Sequence, residues 1–258
     1  MRSRIQLHDA AVRFPGRHLV NSSAHGHLAL SGIDLDIRAG ERVGLIGPNG
    51  SGKSTLLRVM AGIYAPTRGH VRVDGVISSL LTMGMGMQLD YSGYRNIDLS
   101  LLVAGVAKED REELARRIAA FSELGEFLHE PVRNYSSGMA MRLRFACATA
   151  IRPDVLLLDE WIGAGDADFR DKATERMNDL VSEAGIVVLA THNVPLMKRV
   201  CNKAVWLQEG RIVAKGDIDA VTAAHQRFGV YGELPETLVL SDPPADPAPD
   251  PEVEGAEA

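Results

Sequence analysis

Two hydrophobic spacings take turns along this chain. Ile5 to Phe14 alternates loosely between apolar and polar positions and predicts a strand. A polar loop follows from Pro15 to His27. Leu30, Ile33, Leu35 and Ile37 come next, with Asp34 and Asp36 between the last three, the pattern of a half-exposed strand. Ala39-Gly40-Glu41 reads as a turn into Arg42–Ile46 (RVGLI), a short apolar run suited to a buried strand. Leu56-Leu57-Arg58-Val59-Met60 has helical spacing. Pro66 to Gly69 reads as a turn, and His70 to Asp74 as a strand. Near Ser92 the texture changes. Leu114, Ile118 and Phe121 recur at i, i+4 and i+7 while Glu112, Glu113, Arg116 and Arg117 face away, which marks an amphipathic helix. The region to about Ala150 is mostly helical. Val155–Leu158 and Ile186–Leu189 are continuous apolar runs, as in parallel strands buried on both faces, with Arg170 to Val181 as the crossover helix between them. Ala204–Leu207 and Arg211–Ala214 flank Glu209-Gly210 as a hairpin. The expected fold is α/β: a parallel core sheet, an antiparallel β part near the N-terminus, and a helical subdomain over about 88–150.

Composition narrows the setting. The chain has 258 residues, is 45% hydrophobic and carries a net charge of −6. That charge sits in the tail. From Pro235 to Ala258 there are seven acids and no base, so the rest is nearly neutral. The same stretch holds six of the twelve prolines and predicts a disordered tail over 235–258, with the folded unit spanning 1–234. A neutral body with 5% aromatics argues against a nucleic-acid partner. Cys147 and Cys201 are isolated, with no metal-type spacing, as in a reducing compartment. No apolar run reaches membrane-span length, and the N-terminus has no secretory h-region. These features lead us to expect a cytosolic protein. Any role at a membrane would come through docking to another subunit.

The chemistry begins at Gly47-Pro48-Asn49-Gly50-Ser51-Gly52-Lys53-Ser54-Thr55, which fits G-x-x-x-x-G-K-[ST]. It lies between a predicted strand and a predicted helix. There, backbone N–H groups can close around phosphate oxygens and the helix dipole adds positive potential. Lys53 would reach the β- and γ-phosphates of a nucleoside triphosphate, and the Ser54 hydroxyl would ligate Mg²⁺. Val155-Leu156-Leu157-Leu158-Asp159-Glu160 is an apolar strand ending in two acids. Asp159 would hold the Mg²⁺ shell. Glu160, expected on the opposite side of the strand, would polarise a water for in-line attack on the γ-phosphate. His192, within Thr191-His192-Asn193 at the end of the next strand, would hydrogen-bond the γ-phosphate.

Tyr135-Ser136-Ser137-Gly138-Met139 lies 23 residues before Asp159. The order of P-loop, helical insert, this segment, the acidic strand end, Asp166 and His192 resembles the ABC ATPases over roughly residues 1 to 230. The resemblance implies a RecA-like core and an ATPase that works as a homodimer with ATP and Mg²⁺. In it, Ser136, Ser137 and Gly138 of one subunit would close on ATP held by the P-loop of the other, and Asp166 would couple the two sites. Ser137 and Met139 depart from the usual L-S-G-G-Q, and Met139 cannot donate to a ribose hydroxyl. Phe14 is the candidate for stacking on adenine, with His25 or His27 as alternatives. The glutamine usual in the family falls near Met83 by spacing, and Gln88 lies five residues on.

The departures themselves are informative. Y-S-S-G-M, the run from Asp159 to Phe169 (D-E-W-I-G-A-G-D-A-D-F), and the stretch from Met83-Gly84-Met85-Gly86-Met87-Gln88 through Gly93-Tyr94-Arg95-Asn96-Ile97 resemble the ATPases of polysaccharide exporters of O-antigen, teichoic-acid and capsule type. This implies a lipid-linked polysaccharide as cargo. It also implies a transmembrane permease docked near Met83–Tyr94, and a location at the cytoplasmic face of the inner membrane with membrane contact only through that permease. The alternatives are an ABC motor for another cargo, or a soluble ABC mechanoenzyme. The latter should show a long coiled coil or two motors in one chain, and neither is present. Some O-antigen motors carry an extra C-terminal sandwich domain that reads the glycan. The short acidic tail here cannot build one, so glycan recognition is expected elsewhere.

Overall fold

A computed structural model describes residues 3–15, 26–80, 86–160, 167–231 and 238–239. The strands are β1 (Arg4–Phe14), β2 (His27–Arg38), β3 (Arg42–Ile46), β4 (Arg68–Asp74), β5 (Ile77–Ser79), β6 (Val155–Asp159), β7 (Ile186–Ala190), β8 (Lys203–Gln208), β9 (Arg211–Asp217) and β10 (Leu238–Val239). The α-helices are α1 (Lys53–Met60), α2 (Gly93–Val103), α3 (Lys108–Ser122), α4 (Ser137–Ala148), α5 (Ala167–Glu183), α6 (Val194–Val200) and α7 (Ile218–Tyr231).

β2, β1 and β4 form an antiparallel sheet. The other seven strands form the core sheet in the order β10-β9-β8-β3-β7-β6-β5. The run β8-β3-β7-β6-β5 is parallel, and β9 returns antiparallel to β8. The apolar runs are continuous because the core sheet has a core on each face. Leu156, Leu158, Val187 and Leu189 pack on one side with Phe169, Met177 and Trp206. Val155, Leu157, Ile186 and Val188 pack on the other with α1 and the antiparallel sheet. A third core, around Ile97, Leu101, Ile118 and Leu143, holds α2, α3 and α4 together as a helical layer.

This is the α/β architecture expected from the sequence, with three refinements. β4 starts at Arg68, inside the stretch read as a turn, because Thr67 N–H donates to the Ala11 carbonyl at 2.7 Å and Arg68 pairs with Asp9 at 2.6 Å. Leu238–Val239, within the stretch read as a tail, adds β10 parallel to β9. β5, α6 and α7 have no counterpart in the hydrophobic reading. Among the described residues no helix is long and apolar enough to cross a membrane.

Candidate functional site

The strand order puts the chemistry in one place. β3 ends in the P-loop, β7 beside it ends at Thr191-His192, and β6 beyond that ends at Asp159-Glu160. The carboxyl ends of parallel strands therefore open onto one cleft, where ligands of open α/β sheets bind. The cleft is about 450 Å³. Asn49, Gly50, Gly52, Lys53, Ser54 and Thr55 line it from the loop and the start of α1. Asp159, Glu160, Ala190, Thr191 and His192 line it from the strand ends, and Phe14, His27 and Ala29 from the antiparallel sheet.

The loop is built for an anion. Gly52 caps α1 with no side-chain hydrogen bond, and the first turn holds no acid, so the N-terminal amides of the helix are uncapped by any side chain. Lys53 is 8% exposed, and its ammonium donates to the Gly47 carbonyl at 2.7 Å and the Pro48 carbonyl at 3.0 Å. Burial lowers the Lys53 pKa, while the nearby carboxylates of Asp159 and Glu160 oppose that shift. Gly47, Pro48 and Ser51 do not line the cleft but form the loop beneath it. The Ser51 side chain turns inward, and its buried hydroxyl has no hydrogen-bond partner among the described residues.

One expected orientation needs correcting. Strand alternation places Glu160 on the opposite side from Asp159, yet both line the same cleft. β6 ends at Asp159, and Glu160 adopts a left-handed backbone with φ 65°, held by its N–H donating to the Ala190 carbonyl at 2.7 Å. That turn breaks the alternation and brings the second carboxylate back to the site.

His192 is exposed at the cleft wall. Its neighbours serve the backbone. The Thr191 hydroxyl accepts from Asn193 N–H at 3.1 Å, and the Asn193 side chain caps α6 by accepting from Leu196 N–H at 3.0 Å. Thr191 is a cleft residue that motif reading missed. Phe14 is half-buried, packs edge-on to Tyr64 with centroids 5.4 Å apart, and stands directly opposite His27 in the β1–β2 register. Both reach the cleft.

Ser136, Ser137 and Gly138 do not. Ser136 caps α4 by accepting from Met139 N–H at 3.2 Å, and both Ser136 and Ser137 are exposed at the edge of the helical layer. Met139, the departure from glutamine, packs against the helical-layer core, which accounts for an apolar side chain at that position. Gln88 does not line the cleft either. Its backbone N–H is held by the Asn96 side chain at 2.8 Å. Met83, His25 and Asp166 lie outside the described residues.

A phosphate-binding loop on a central parallel strand, two acids on one neighbouring strand end and a histidine on another define a P-loop nucleotide-binding domain. The chain belongs to the ABC transporter family, whose model matches residues 30–163. It is 44% identical over 198 residues to the O-antigen export system ATP-binding protein RfbB of Myxococcus xanthus, covering 77% of this chain and 45% of that protein. It is 46% identical over 184 residues to the O-antigen export system ATP-binding protein RfbE of Yersinia enterocolitica, covering 71% of this chain and 77% of that one. The chain thus spans less than half of the first relative and about three quarters of the second. The fold is that of the ATP-binding cassette MJ0796, solved as a dimer in a post-hydrolysis state with ADP and Pi. The match has a TM-score of 0.64 at 22% identity and covers 83% of this chain and 98% of that one.

Proposed function

We propose that this chain is the ATP-hydrolysing motor of an ABC exporter whose cargo is a lipid-linked polysaccharide of the O-antigen, teichoic-acid or capsule type. The names of its relatives and the exporter-like signature motifs support that cargo. The observation that carries the motor reading is that the site is half built. Lys53, Asp159, Glu160 and His192 share one cleft, while Ser136 and Ser137, with half-buried Gly138 behind them, stand exposed outside it. A second copy of the chain, arranged head to tail, supplies the missing half. ATP then closes the dimer and hydrolysis opens it.

In this reading the N-terminus of α1 and Lys53 hold the phosphates. Glu160 orients and polarises the attacking water, and His192 hydrogen-bonds the γ-phosphate. The partner's helix dipole at Ser136–Gly138 meets the same phosphate without an added cation. Ser54 and Asp159 both face the cleft with hard oxygen donors, a set that suits Mg²⁺. Mg²⁺ would supply neutralisation of charge on the β- and γ-phosphates. Residues 1–234 form the motor unit in this reading, with 88–150 as its helical subdomain and 235–258 as an appendage.

A permease would dock on the helical layer near Met83–Tyr94, where Leu89, Tyr91 and Tyr94 are exposed. A mostly apolar groove of about 390 Å³ between β5, α2 and α4 adjoins it, lined by Ile77, Leu99, Val103, Ala148 and Ile151. The motor would thus sit peripherally at the cytoplasmic face of the inner membrane. The test is Glu160→Gln. It should bind ATP without turnover and elute as a dimer only with ATP, and adding Ser136→Arg should abolish the dimer. A Glu160→Gln protein that stays monomeric at saturating ATP would overturn the composite site.

A further inference from the structure

The two motifs that flank the helical layer are strapped together. The segment from Gln88 to Gly93 runs beside the segment from Pro131 to Tyr135. Val132 N–H donates to the Tyr91 carbonyl at 3.0 Å and Arg133 N–H to the Leu89 carbonyl at 2.9 Å. Ser92 and Pro131 form an isolated antiparallel bridge, and Arg133 pairs with Asp90 at 2.8 Å. Asn96, only 3% exposed, pins the first segment from below. Its Oδ1 accepts from Gln88 N–H at 2.8 Å, and its Nδ2 donates to the Gln88, Tyr91 and Ser92 carbonyls at 2.9, 3.2 and 3.0 Å. A buried amide so fully satisfied fixes a loop in one shape.

Tyr135 ties the second segment to Gly93 of the first and to the Phe127 carbonyl outside both. Its hydroxyl donates to the Phe127 carbonyl at 2.7 Å. It also lies so close over Gly93 that a Cβ there would overlap the Tyr135 oxygen and come within 3.0 Å of the Leu128 backbone. Ser136, the cap of α4, is the next residue. Within the first segment and the start of α2, Leu89, Tyr91 and Tyr94 are exposed, and Phe127, whose carbonyl Tyr135 holds, is exposed too.

We propose that residues 88–96 and 131–139 move as one rigid strap, with Asn96 and Tyr135 as positioning residues. The exposed side chains of its first segment, Leu89, Tyr91 and Tyr94, thereby set the angle at which Ser136–Gly138 is presented to the partner's ATP. This rests on the reading of a permease-docked composite site, but it names the physical link within this chain. No long lever is needed, because only two residues, Asn134 and Tyr135, separate the Arg133 hydrogen bond from the Ser136 cap. The coupling runs both ways: closure at Ser136 stiffens the first segment, and a partner on the first segment aims Ser136.

Hydrogen exchange of the full chain tests it in two arms. Without nucleotide, Tyr135→Phe removes a single hydroxyl and should keep the fold. If the strap opens as one unit, the amides of Gln88, Val132 and Arg133 should all exchange faster by the same factor, roughly three- to tenfold for one neutral hydrogen bond. Faster exchange at Val132 and Arg133 with Gln88 unchanged would overturn the strap. In the second arm, ATP is added to Glu160→Gln, and amides at 88–96 should slow in step with those at 137–140. Slowing at 137–140 alone would also overturn it. Slowing at neither place would count against the composite site itself, and the strap would then be decided by the Tyr135→Phe arm.

Discussion

Gly47 and Gly50 sit three residues apart in the P-loop, and the structure assigns alanine very different consequences at the two. Gly50 has φ 79°, and nothing lies within 4 Å of where a Cβ would stand. Gly50→Ala therefore adds only the left-handed backbone cost, about 1 kcal/mol. Gly47 has φ 143°, a conformation almost closed to other residues, and a Cβ there would overlap the Leu207 carbonyl oxygen on β8 and stand 2.9 Å from Ser51 Oγ. Gly47→Ala adds about 1–3 kcal/mol of backbone strain and about 1–3 kcal/mol of overpacking against a strand that cannot retreat, since β8 is hydrogen-bonded to β3. For a chain of this size each kcal/mol lowers the melting temperature by about 2–4 °C. Calorimetry without nucleotide should show Gly50→Ala melting about 2–4 °C low and Gly47→Ala at least about 4 °C low, and lower than Gly50→Ala. Titration calorimetry should then find ATP binding weakened in the first and undetectable in the second. If Gly47→Ala melted within 2 °C of the parent, or if Gly50→Ala were the worse variant, the close approach of loop and strand would be wrong.

Two further outcomes follow from buried groups. Lys53→Met removes a charge that burial disfavours, so the melting temperature should fall by no more than about 2 °C while ATP affinity drops about 10- to 100-fold with the loss of a charge-assisted contact. A large loss of stability would show that the ammonium holds the apo loop together. Burial pushes the Cys201 thiol up to about 12 and the Cys147 thiol up to about 11, from an ordinary value near 9. Above pH 9 the unfolded chain then releases these protons before the folded chain does, so stability should fall as pH rises from 9 toward 11. Thermal melts of a Cys147→Ala, Cys201→Ala variant should show a shallower decline over that range, and equal slopes would refute the assignment.

What could be read from the sequence, and what could not, has a common physical cause. Val155–Leu158 was legible because a strand with a core on each face must be apolar at every position. The P-loop was legible because its glycines and lysine are fixed by phosphate geometry. β5 escaped because three residues are too few to show a period. α7 escaped because its buried residues, Ile218, Val221 and Thr222, are few and one is polar. At the site, Met139 stood out only as a missing glutamine, since spacing alone does not reveal that the helical-layer core lies beneath it. Asn96 read as part of a motif, and only the fold shows that it holds three carbonyls of the strap. Glu160 was the informative failure. Period-two reasoning holds inside a strand and lapses at its end, where a residue in a left-handed conformation turns its own side chain back to the side of the one before it.

That reversal can be measured separately from catalysis. In an ordinary strand position, glycine is less stable than alanine by about 0.5–1 kcal/mol, because its unfolded chain has more freedom to lose. At φ 65° the order should invert. Alanine keeps the left-handed strain, about 1–2 kcal/mol, and glycine does not. Glu160→Gly and Glu160→Ala both lack the carboxylate, so both should be inactive, and their stabilities can be compared with function held constant. Glu160→Gly should unfold at the higher denaturant concentration, by up to about 1 kcal/mol. Glu160→Gln should match the parent, because it keeps both the side-chain shape and the strained backbone. If alanine proved the more stable of the pair, Glu160 would be an ordinary strand residue. The convergence of two carboxylates on one cleft would then need another cause. If glycine wins, the fold carries a strained residue where a glycine would be easier, and the chemistry of the second acid is the reason for it.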